Sequence, residues 1–167
     1  MADERIVNLH EIALDESSDE RPYVGAWAKL AERLGAKRLG FNVSAIQPGA
    51  FSCPYHWHLR EEELFIALSG RALVRCADGV REVRAGDLVF FRTGPEGSHQ
   101  FYNHGDEPFR YFALSNIAET DVCEYPDSGK ILLRGAGRAM FRRADAVEYM
   151  DGERDPKAHW PEGTIKG

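Results

Sequence analysis

Three residues within a span of eight positions have side chains that bind metal ions: His56, His58 and Glu63. On an extended strand, residues two apart face the same side, so the imidazoles of His56 and His58 are expected to point together while Trp57 points away. Glu63 begins the next apolar run after a short polar reversal, where its carboxylate would add an oxygen ligand. This spacing predicts one ion shared by two imidazoles and a carboxylate.

A third imidazole lies further along the chain, at His99. It follows an apolar run and a loop rich in glycine and proline, and it opens the next predicted strand. A single strand histidine is more often a structural residue than a ligand, but the joint pattern favours a shared site. Three imidazoles and a carboxylate suit one divalent transition metal, namely Fe, Mn, Ni, Co or Zn. This ligand set does not distinguish among these metals. A substrate that offers two oxygens could then chelate the ion.

The segments that must position these ligands have the two-residue period of strands. Apolar and β-branched runs cover residues 39–45, 63–68, 72–76, 80–84, 88–91 and 109–114. Asp78-Gly79 is the strongest hairpin signal between them. Residues 64–68 are apolar on both sides of the pleat, which favours a central strand buried between two sheets. We therefore predict an all-β sandwich or barrel in which consecutive strands pair antiparallel.

The N-terminal part of the chain departs from this period. Residues 1–23 predict a polar arm, after which apolar residues recur at helical spacing before Gly35. These apolar residues are Val24, Trp27, Leu30 and Leu34. We expect one short helix here, packed against the barrel. The arm and helix together make up residues 1–37, and the barrel core follows over residues 38–118.

The C-terminal part, residues 119–167, is predicted as an extension that packs on the barrel. Its pattern is weaker, with further strands at residues 130–133 and 139–141 and a turn at residues 125–129. The charged end from residue 157 to residue 167 is expected to be disordered.

The length and the charge of the chain limit the number of sites and the kinds of partner that we expect. With 167 residues the chain has the size of one domain, so we look for one site. The 21 Lys and Arg against 27 Asp and Glu leave a formal charge of -6, which gives no electrostatic reason to expect nucleic acid or an anionic membrane as a partner. Residues 1–19 hold no apolar run of the length that a signal peptide or membrane span needs, so a cytoplasmic location is expected.

Three cysteines are odd in number and widely separated, which predicts reduced and mostly buried thiols. They are Cys53, Cys76 and Cys123. Cys53 could ligate a soft metal, but packing is the first interpretation. Three other histidines, namely His10, His104 and His159, are expected at the surface. Glu61 and Glu62 are expected to form a solvated turn, and Phe101 shares the face of His99, where it could line a pocket or pack in the core.

The first ligand stretch resembles a signature motif of the cupin superfamily. That motif has a glycine, a spacer, a His-x-His pair, a spacer, a glutamate, six residues and a glycine. Here four residues separate His58 from Glu63, and six separate Glu63 from Gly70. Glu62 would satisfy a shorter spacing, but the distance to Gly70 favours Glu63.

The second stretch resembles the second cupin motif, with a Gly86-Asp87 turn, a strand, a loop, and His99 followed by three residues and Asn103. The two motifs together cover about residues 39–116. Arg92 stands where the family usually has proline, and the loop from Gly94 is two residues longer than the common pattern. We therefore expect an unusual shape at the pocket mouth beside His99.

The resemblance implies a double-stranded β-helix, the jelly-roll or cupin barrel, and a homodimer formed through edge strands. Such sites support dioxygenases, decarboxylases and sugar-phosphate isomerases, and some relatives only bind ligands. The leading hypothesis is a small metalloenzyme acting on a chelating oxygenated metabolite or sugar-like substrate; the alternative is a non-catalytic metal-dependent small-molecule binding protein. A transcriptional sensor is disfavoured because no helix-turn-helix segment accompanies the barrel. A phosphorylated substrate would need a cationic clamp, for which Arg60, Arg92 and Arg110 are candidates.

Overall fold

The computed structural model describes residues 5–164, which form an almost entirely β structure. The all-β prediction is confirmed. The strands are β1 (Glu16–Glu20), β2 (Tyr23–Ala28), β3 (Leu39–Ile46), β4 (Trp57–His58), β5 (Glu63–Ser69), β6 (Arg71–Cys76), β7 (Gly79–Arg84), β8 (Leu88–Phe91), β9 (His99–Tyr102), β10 (Phe109–Asn116), β11 (Asp121–Tyr125), β12 (Lys130–Arg134) and β13 (Arg138–Arg142). One α-helix, α1 (Leu30–Arg33), and 3-10 turns at Pro95–Gly97, Arg143–Asp145 and Pro156–His159 accompany them. Within the described residues no helix is long and apolar enough to cross a membrane.

The strands form two facing walls with antiparallel pairing throughout. One wall is a six-stranded sheet in the order β1-β2-β3-β10-β5-β8. The other consists of a three-stranded sheet, β7-β6-β9, and a four-stranded sheet, β13-β12-β11-β4. Isolated bridges join these two sheets, from Phe51 to Tyr102 and from His56 to His99. The three site histidines therefore lie where two short sheets meet to complete one wall, and Glu63 approaches them from β5 of the other wall.

The strand runs predicted from the two-residue period all become strands. The hairpin predicted at Asp78-Gly79 joins β6 to β7, with Ala77 and Asp78 as its loop residues and Gly79 as the first residue of β7. The central position of β5 is also confirmed, because it lies between β10 and β8. The prediction that consecutive strands pair with each other holds for β6 with β7 but is wrong for the other predicted barrel strands, since β5 pairs with β10 and β8, and β3 pairs with β2 and β10. The chain passes from one wall to the other after β3, β4, β5, β7, β8, β9 and β10, so neighbours along the chain often lie in different walls.

The predicted N-terminal helix is only one turn long. Val24 and Trp27, whose spacing also suits a helix, lie in β2, which pairs with β1 and β3. Helical spacing was misleading here because pairing with a long neighbouring strand outweighs a weak local preference. Residues 16–20 of the predicted polar arm also form a strand, whereas residues 1–4 lie outside the described residues.

Two apolar clusters lie on either side of the six-stranded wall. The inner cluster fills the space between the walls and includes Phe65, Phe91, Phe101, Phe109 and Tyr111, whose rings contact one another. The outer cluster covers the other face of the same sheet, where Leu30 of α1 and the segment from Val7 to Leu14 pack against it. Both faces of β5 are therefore at least partly covered, as its apolar run requires.

Gly70 ends β5 at a sharp reversal. Its φ of +77° lies in the left-handed region that favours glycine, and a Cβ there would lie 2.8 Å from the Pro108 carbonyl oxygen. This close backbone approach explains the glycine that closes the first motif.

The C-terminal extension is attached to the barrel through β11, which pairs with β4. The predicted strands at residues 130–133 and 139–141 are confirmed as β12 and β13. Every described residue from 138 to 164 is exposed. Disorder of the last residues stays a prediction, and residues 165–167 lie outside the described residues.

Candidate metal centre

His56 and His99 lie directly opposite each other on neighbouring backbone segments. The N–H of His99 donates to the His56 carbonyl oxygen at 2.9 Å, and the N–H of His56 donates to the His99 carbonyl oxygen at 3.3 Å. Opposed residues of an antiparallel pair share a face, and the two ring centroids lie 4.7 Å apart. The ring of His58 lies 5.0 Å from that of His56. The bridge thus brings the imidazoles of the two motifs together.

Each imidazole has its Nδ1 atom beside an oxygen atom. The partners are Pro54 O for His56 at 2.9 Å, Gly97 O for His99 at 3.0 Å and Asp121 Oδ2 for His58 at 2.6 Å. A carbonyl oxygen can only accept, so the two rings beside carbonyls carry their proton on Nδ1 and leave the Nε2 lone pair free. Metal-binding histidines commonly have their second ring nitrogen held in this way.

The Glu63 carboxylate lies between these rings. Its Oε2 atom is 3.2 Å from Nε2 of His99 and 3.6 Å from Nε2 of His58, yet it is buried and accepts no hydrogen bond from the described residues. Ligand atoms of His56, Glu63 and His99 all lie within 4.8 Å of one another. His58 belongs to an overlapping group of the same size with His56 and Cys123. The four predicted residues therefore lie close together. His56 belongs to both groups, Glu63 and His99 belong to the first, and His58 belongs to the second.

These separations suit an ion between the side chains. Ligand atoms about 2.1 Å from a transition metal are about 3.0 Å apart in octahedral and about 3.4 Å apart in tetrahedral coordination. The observed 3.2 Å and 3.6 Å are close to those values. A buried carboxylate oxygen without a partner is costly, and a cation at this point would pair it. The donor set consequently fits a divalent transition metal.

Burial also sets the protonation of the ligands. Together with the smaller effect of a neighbouring histidine, it lowers the pKa of His56 to about 4 and the pKa of His99 to about 3. Both rings are therefore neutral near pH 7, as metal binding requires. Burial raises the pKa of Glu63 above its ordinary value, and a bound cation would act in the opposite direction.

Two carboxylates and an arginine form a network of contacts beside His58. Asp121 accepts the hydrogen bond from His58 and lies 3.5 Å from the Arg134 guanidinium, which also contacts the Glu61 carboxylate. The Glu61 side chain is only 5% exposed. The predicted solvated turn is therefore wrong for Glu61, because an arginine of the C-terminal extension covers and pairs it, and holds only for the exposed Glu62.

The longer loop before His99 folds back onto the site. The N–H of Gly94 donates to the His58 carbonyl oxygen at 2.8 Å, while the Gly97 carbonyl oxygen lies beside Nδ1 of His99. A Cβ on Gly97 would lie 1.8 Å from the Arg92 carbonyl oxygen, so only glycine fits there. The loop thus connects the backbone of one histidine to the ring of another.

A cavity of about 210 Å³ adjoins the candidate ligands. Its lining includes His56, Glu63, His99, Cys53, Phe101 and Tyr111. Phe101 therefore has both roles considered for it, because it lines this cavity and packs in the inner core. The cavity has room for a small ligand beside the imidazoles.

The three arginines considered as a clamp do not line this cavity. Arg60 is exposed, Arg92 pairs with Glu96 at 2.7 Å, and Arg110 donates to the Ile12 carbonyl oxygen. They lie elsewhere because neighbouring side chains on a strand alternate between faces, so Arg110 points away from the face that carries Tyr111. Recognition of an anionic substrate group at this site would need other cationic residues.

All three cysteines are free thiols, as expected, although only Cys123 is fully buried and the other two are half-buried. Cys53 lies 3.7 Å from Nδ1 of His56, and burial raises the pKa of its thiol to about 12. Burial likewise raises the pKa of Cys123 to about 11. Both are therefore protonated near pH 7, which disfavours them as ligands relative to Glu63.

One further motif residue, Asn103, and the three histidines outside the motifs were also considered from the sequence. Asn103 is fully buried and donates to the Ile46 and Glu107 carbonyl oxygens, so it holds a turn. His10 and His159 are exposed, as predicted. His104 is half-buried at the surface, where its Nε2 lies 3.0 Å from Glu82.

Four residues of this region were not assigned to the site from the sequence, although Glu61 and Cys123 were considered there in other roles. They are Glu61, Asp121, Cys123 and Tyr125, whose ring stacks against that of His56 at 5.8 Å. The last three lie on β11, where the apolar pattern is weak. Residues 121–125, Asp-Val-Cys-Glu-Tyr, show no regular alternation of polar and apolar residues, so no local signal indicated this strand or its pairing with β4.

Comparisons with known proteins agree with this architecture. A family model described as a cupin domain matches residues 42–115. A solved structure of a candidate sugar phosphate isomerase from Acidithiobacillus ferrooxidans is 24% identical, with a TM-score of 0.76 over 84% of this chain and 91% of that chain. A sugar phosphate isomerase of the cupin superfamily from Silicibacter pomeroyi is 22% identical, with a TM-score of 0.73 over 87% of this chain and 98% of that chain.

A proposed oxalate decarboxylase from Thermotoga maritima is 23% identical, with a TM-score of 0.57 over 68% of this chain and 99% of that chain. No curated protein matches the chain. At these identities the likeness shows the fold, which is the predicted double-stranded β-helix.

Proposed function

Because the chain contains a cupin domain, we propose that it is a metal-dependent isomerase acting on an oxygen-chelating, sugar-like metabolite. The proposed ligands of one divalent transition metal are His56, His58, Glu63 and His99. The observation that carries this proposal is the buried Oε2 atom of Glu63, which has no hydrogen-bond partner among the described residues although it lies 3.2 Å from a histidine nitrogen. A cation is the partner that such an arrangement favours.

The bound metal would act as a Lewis acid on two neighbouring substrate oxygens, such as those of a hydroxy-carbonyl group. The chain supplies the surroundings of this site. Phe65 and Phe101 exclude water from the inner side of the cavity. Burial raises the pKa of the Tyr111 hydroxyl, so this group stays protonated as a hydrogen-bond donor at the cavity wall.

The extent of structural likeness favours an isomerase over the other reactions of such sites. The two sugar phosphate isomerase structures align with 84% and 87% of the chain, which exceeds the predicted barrel core of residues 38–118. The decarboxylase structure aligns with 68%. Asp121 and Arg134 contact the site from the extension, so the greater coverage of this chain by the two isomerase structures supports an isomerase.

The first experiment is elemental mass spectrometry of protein purified without a histidine tag. We expect about one equivalent of metal in the wild type, because a cupin site of this kind holds one ion. A His56→Ala/His58→Ala variant should lose it. A His10→Ala/His159→Ala variant removes two exposed histidines and should retain it.

The metal-loaded protein would then be incubated with hydroxy-aldehydes and hydroxy-ketones, and interconversion followed by proton NMR. Product that disappears in the His56→Ala/His58→Ala variant would support an isomerase. Metal binding without turnover would instead support a non-catalytic, metal-dependent binding protein. Absence of metal, even after reconstitution, would refute the proposed site.

We also propose a homodimer. Strand β8 ends the six-stranded sheet, and it exposes Leu88 and Phe90 by 58% and 53%. An apolar strand at a sheet edge favours association with a second chain. A monodisperse monomer at micromolar concentration in light scattering would contradict this. The cytoplasmic location stays a prediction from the sequence.

A further inference from the structure

The four-stranded sheet has one face that is turned toward the candidate metal centre. Asp121 of β11 contacts His58 from this face. Tyr125 of the same strand lies four positions away and therefore on the same side, where its ring stacks against His56 with an interplanar angle of 22°. The register of the sheet then determines which residues of β12 and β13 share this face.

Residues directly opposite each other in antiparallel strands lie on the same face of a sheet. Asp121 is opposite Arg134, which is opposite Arg138, and Tyr125 is opposite Lys130, which is opposite Arg142. The face turned toward the site consequently carries four basic residues. They are Lys130, Arg134, Arg138 and Arg142.

Only one of these four cations is neutralised by the network behind the site. Arg134 pairs with the carboxylates of Glu61 and Asp121. Within residues 5–164, Lys130, Arg138 and Arg142 form no ion pair with a carboxylate, and the two arginines are exposed. Three positive charges therefore remain available on this face, which we call the basic face.

The basic face connects with the candidate metal centre through Tyr125. The Lys130 ammonium lies 5.4 Å from the Tyr125 ring, and that ring lies 5.8 Å from the ring of His56. Strands in a sheet are about 4.8 Å apart, so β12 lies about 10 Å from β4. A ligand with a chain of only a few bonds could touch the imidazoles and Lys130 together.

The charge of the basic face contrasts with that of the whole chain, which is -6. A local positive surface beside a pocket attracts anions even when the protein is acidic overall. Ammonium and guanidinium groups bind phosphate and carboxylate oxygens through charge-assisted hydrogen bonds. None of the three arginines considered from the sequence lines the cavity, whereas the register places the basic face on the side of the sheet that is turned toward the candidate metal centre.

We propose that Lys130, Arg138 and Arg142 bind an anionic oxygen group of the substrate, a phosphate or a carboxylate, while its chelating oxygens face the histidines. This inference rests on the proposed function for the identity of the substrate. The binding of a small anion to the basic face, however, is measurable without metal and without turnover. The two proposals can therefore fail separately.

The test is a phosphorus NMR titration of inorganic phosphate into the full chain, kept free of metal by a chelator and at constant ionic strength. A Lys130→Gln/Arg138→Gln/Arg142→Gln variant should bind phosphate about tenfold more weakly or worse, since each lost charge-assisted hydrogen bond costs affinity. The single variant Lys130→Gln should show part of this loss. The substituted side chains are at or near the surface, so the fold should be kept, which the thermal unfolding midpoint checks.

The matched control is Lys37→Gln/Arg38→Gln/Arg84→Gln, which removes the same charge from exposed positions outside the basic face and should bind phosphate as the wild type does. Competition with acetate distinguishes the source of the anion: displacement of phosphate by acetate supports a carboxylate, and its absence supports a phosphate. Equal phosphate affinity in the wild type and both triple variants, or no binding by the wild type, overturns the inference. Metal content, measured in parallel, reports on the proposed function alone.

Discussion

The barrel interior and the C-terminal sheet are built from strands of similar length, but they are stabilised in different ways. In the interior, Phe65, Phe91 and Phe101 are each at most 9% exposed and contact one another. In the C-terminal sheet, burial falls from β11 through β12 to β13, in which every residue is exposed. The barrel is therefore stabilised mainly by packing, whereas the outer strands of the extension depend on backbone hydrogen bonds.

The gradient of burial in the extension matches its expected contribution to the site. Asp121 lies on the innermost strand, is 3% exposed and contacts His58. Lys130 and Arg138 lie on the outer strands, where solvated cations can meet a ligand. One part of the extension thus supports the candidate metal centre, and the other part presents a charged surface.

The largest effect is expected from Phe65→Ala in the inner cluster. Removing this ring leaves a cavity among four aromatic neighbours, and such changes cost about 3–5 kcal/mol. Chemical denaturation of the metal-free protein would measure the free energy of unfolding. A loss below about 1 kcal/mol would show that the barrel interior is less dependent on packing than the contacts indicate.

A smaller but still large effect is expected from Gly97→Ala. The new methyl group would collide with the Arg92 carbonyl oxygen, so the loop must move and cost about 1–3 kcal/mol. Because the Gly97 carbonyl oxygen holds the ring of His99, metal affinity should fall as well. Gly137→Ala is the control, since a Cβ there meets nothing within 4 Å. Equal behaviour of the two variants would contradict this account of the loop.

Asp121→Asn tests the inner strand of the extension. The amide keeps the shape and can still accept the Arg60 N–H, but it loses the charge beside His58, so metal affinity should fall about 10- to 100-fold. Competition with a chromogenic chelator would measure it, together with the unfolding midpoint of the metal-free protein. Asp127→Asn alters an exposed carboxylate that pairs with Arg75 and should leave metal affinity unchanged. If both variants bind metal like the wild type, Asp121 does not position His58.

The smallest effect is expected from Phe141→Ala on β13. This side chain is 52% exposed, so its loss should change the free energy of unfolding by no more than about 0.5 kcal/mol. The same denaturation experiment as for Phe65→Ala applies. A loss of several kcal/mol in dilute solution would mean that β13 packs against something absent from a single chain, and a dependence on protein concentration would identify a second copy.

The strands were predictable because the two-residue period is local. The runs that became β3, β5, β6, β7, β8 and β10 alternate or are continuously apolar, and turn residues separate them. The helical spacing of Val24 and Trp27 was misleading, because a few apolar residues can suit either period and only pairing with β3 decides between them. The pairing of β5 with β10 and β8 could not be predicted either, because a prediction requires knowing which wall each strand joins.

By itself, the sequence determined the types and spacing of the proposed ligands, since His56, His58 and Glu63 lie close along the chain and His99 opens a recognisable strand. The residues that surround them became apparent from the folded chain alone. Asp121 is 63 positions from His58, and Arg134 covers Glu61 from another sheet strand. Contacts of this kind depend on the pairing of β4 with β11, which brings distant segments together and leaves no periodic trace in either of them.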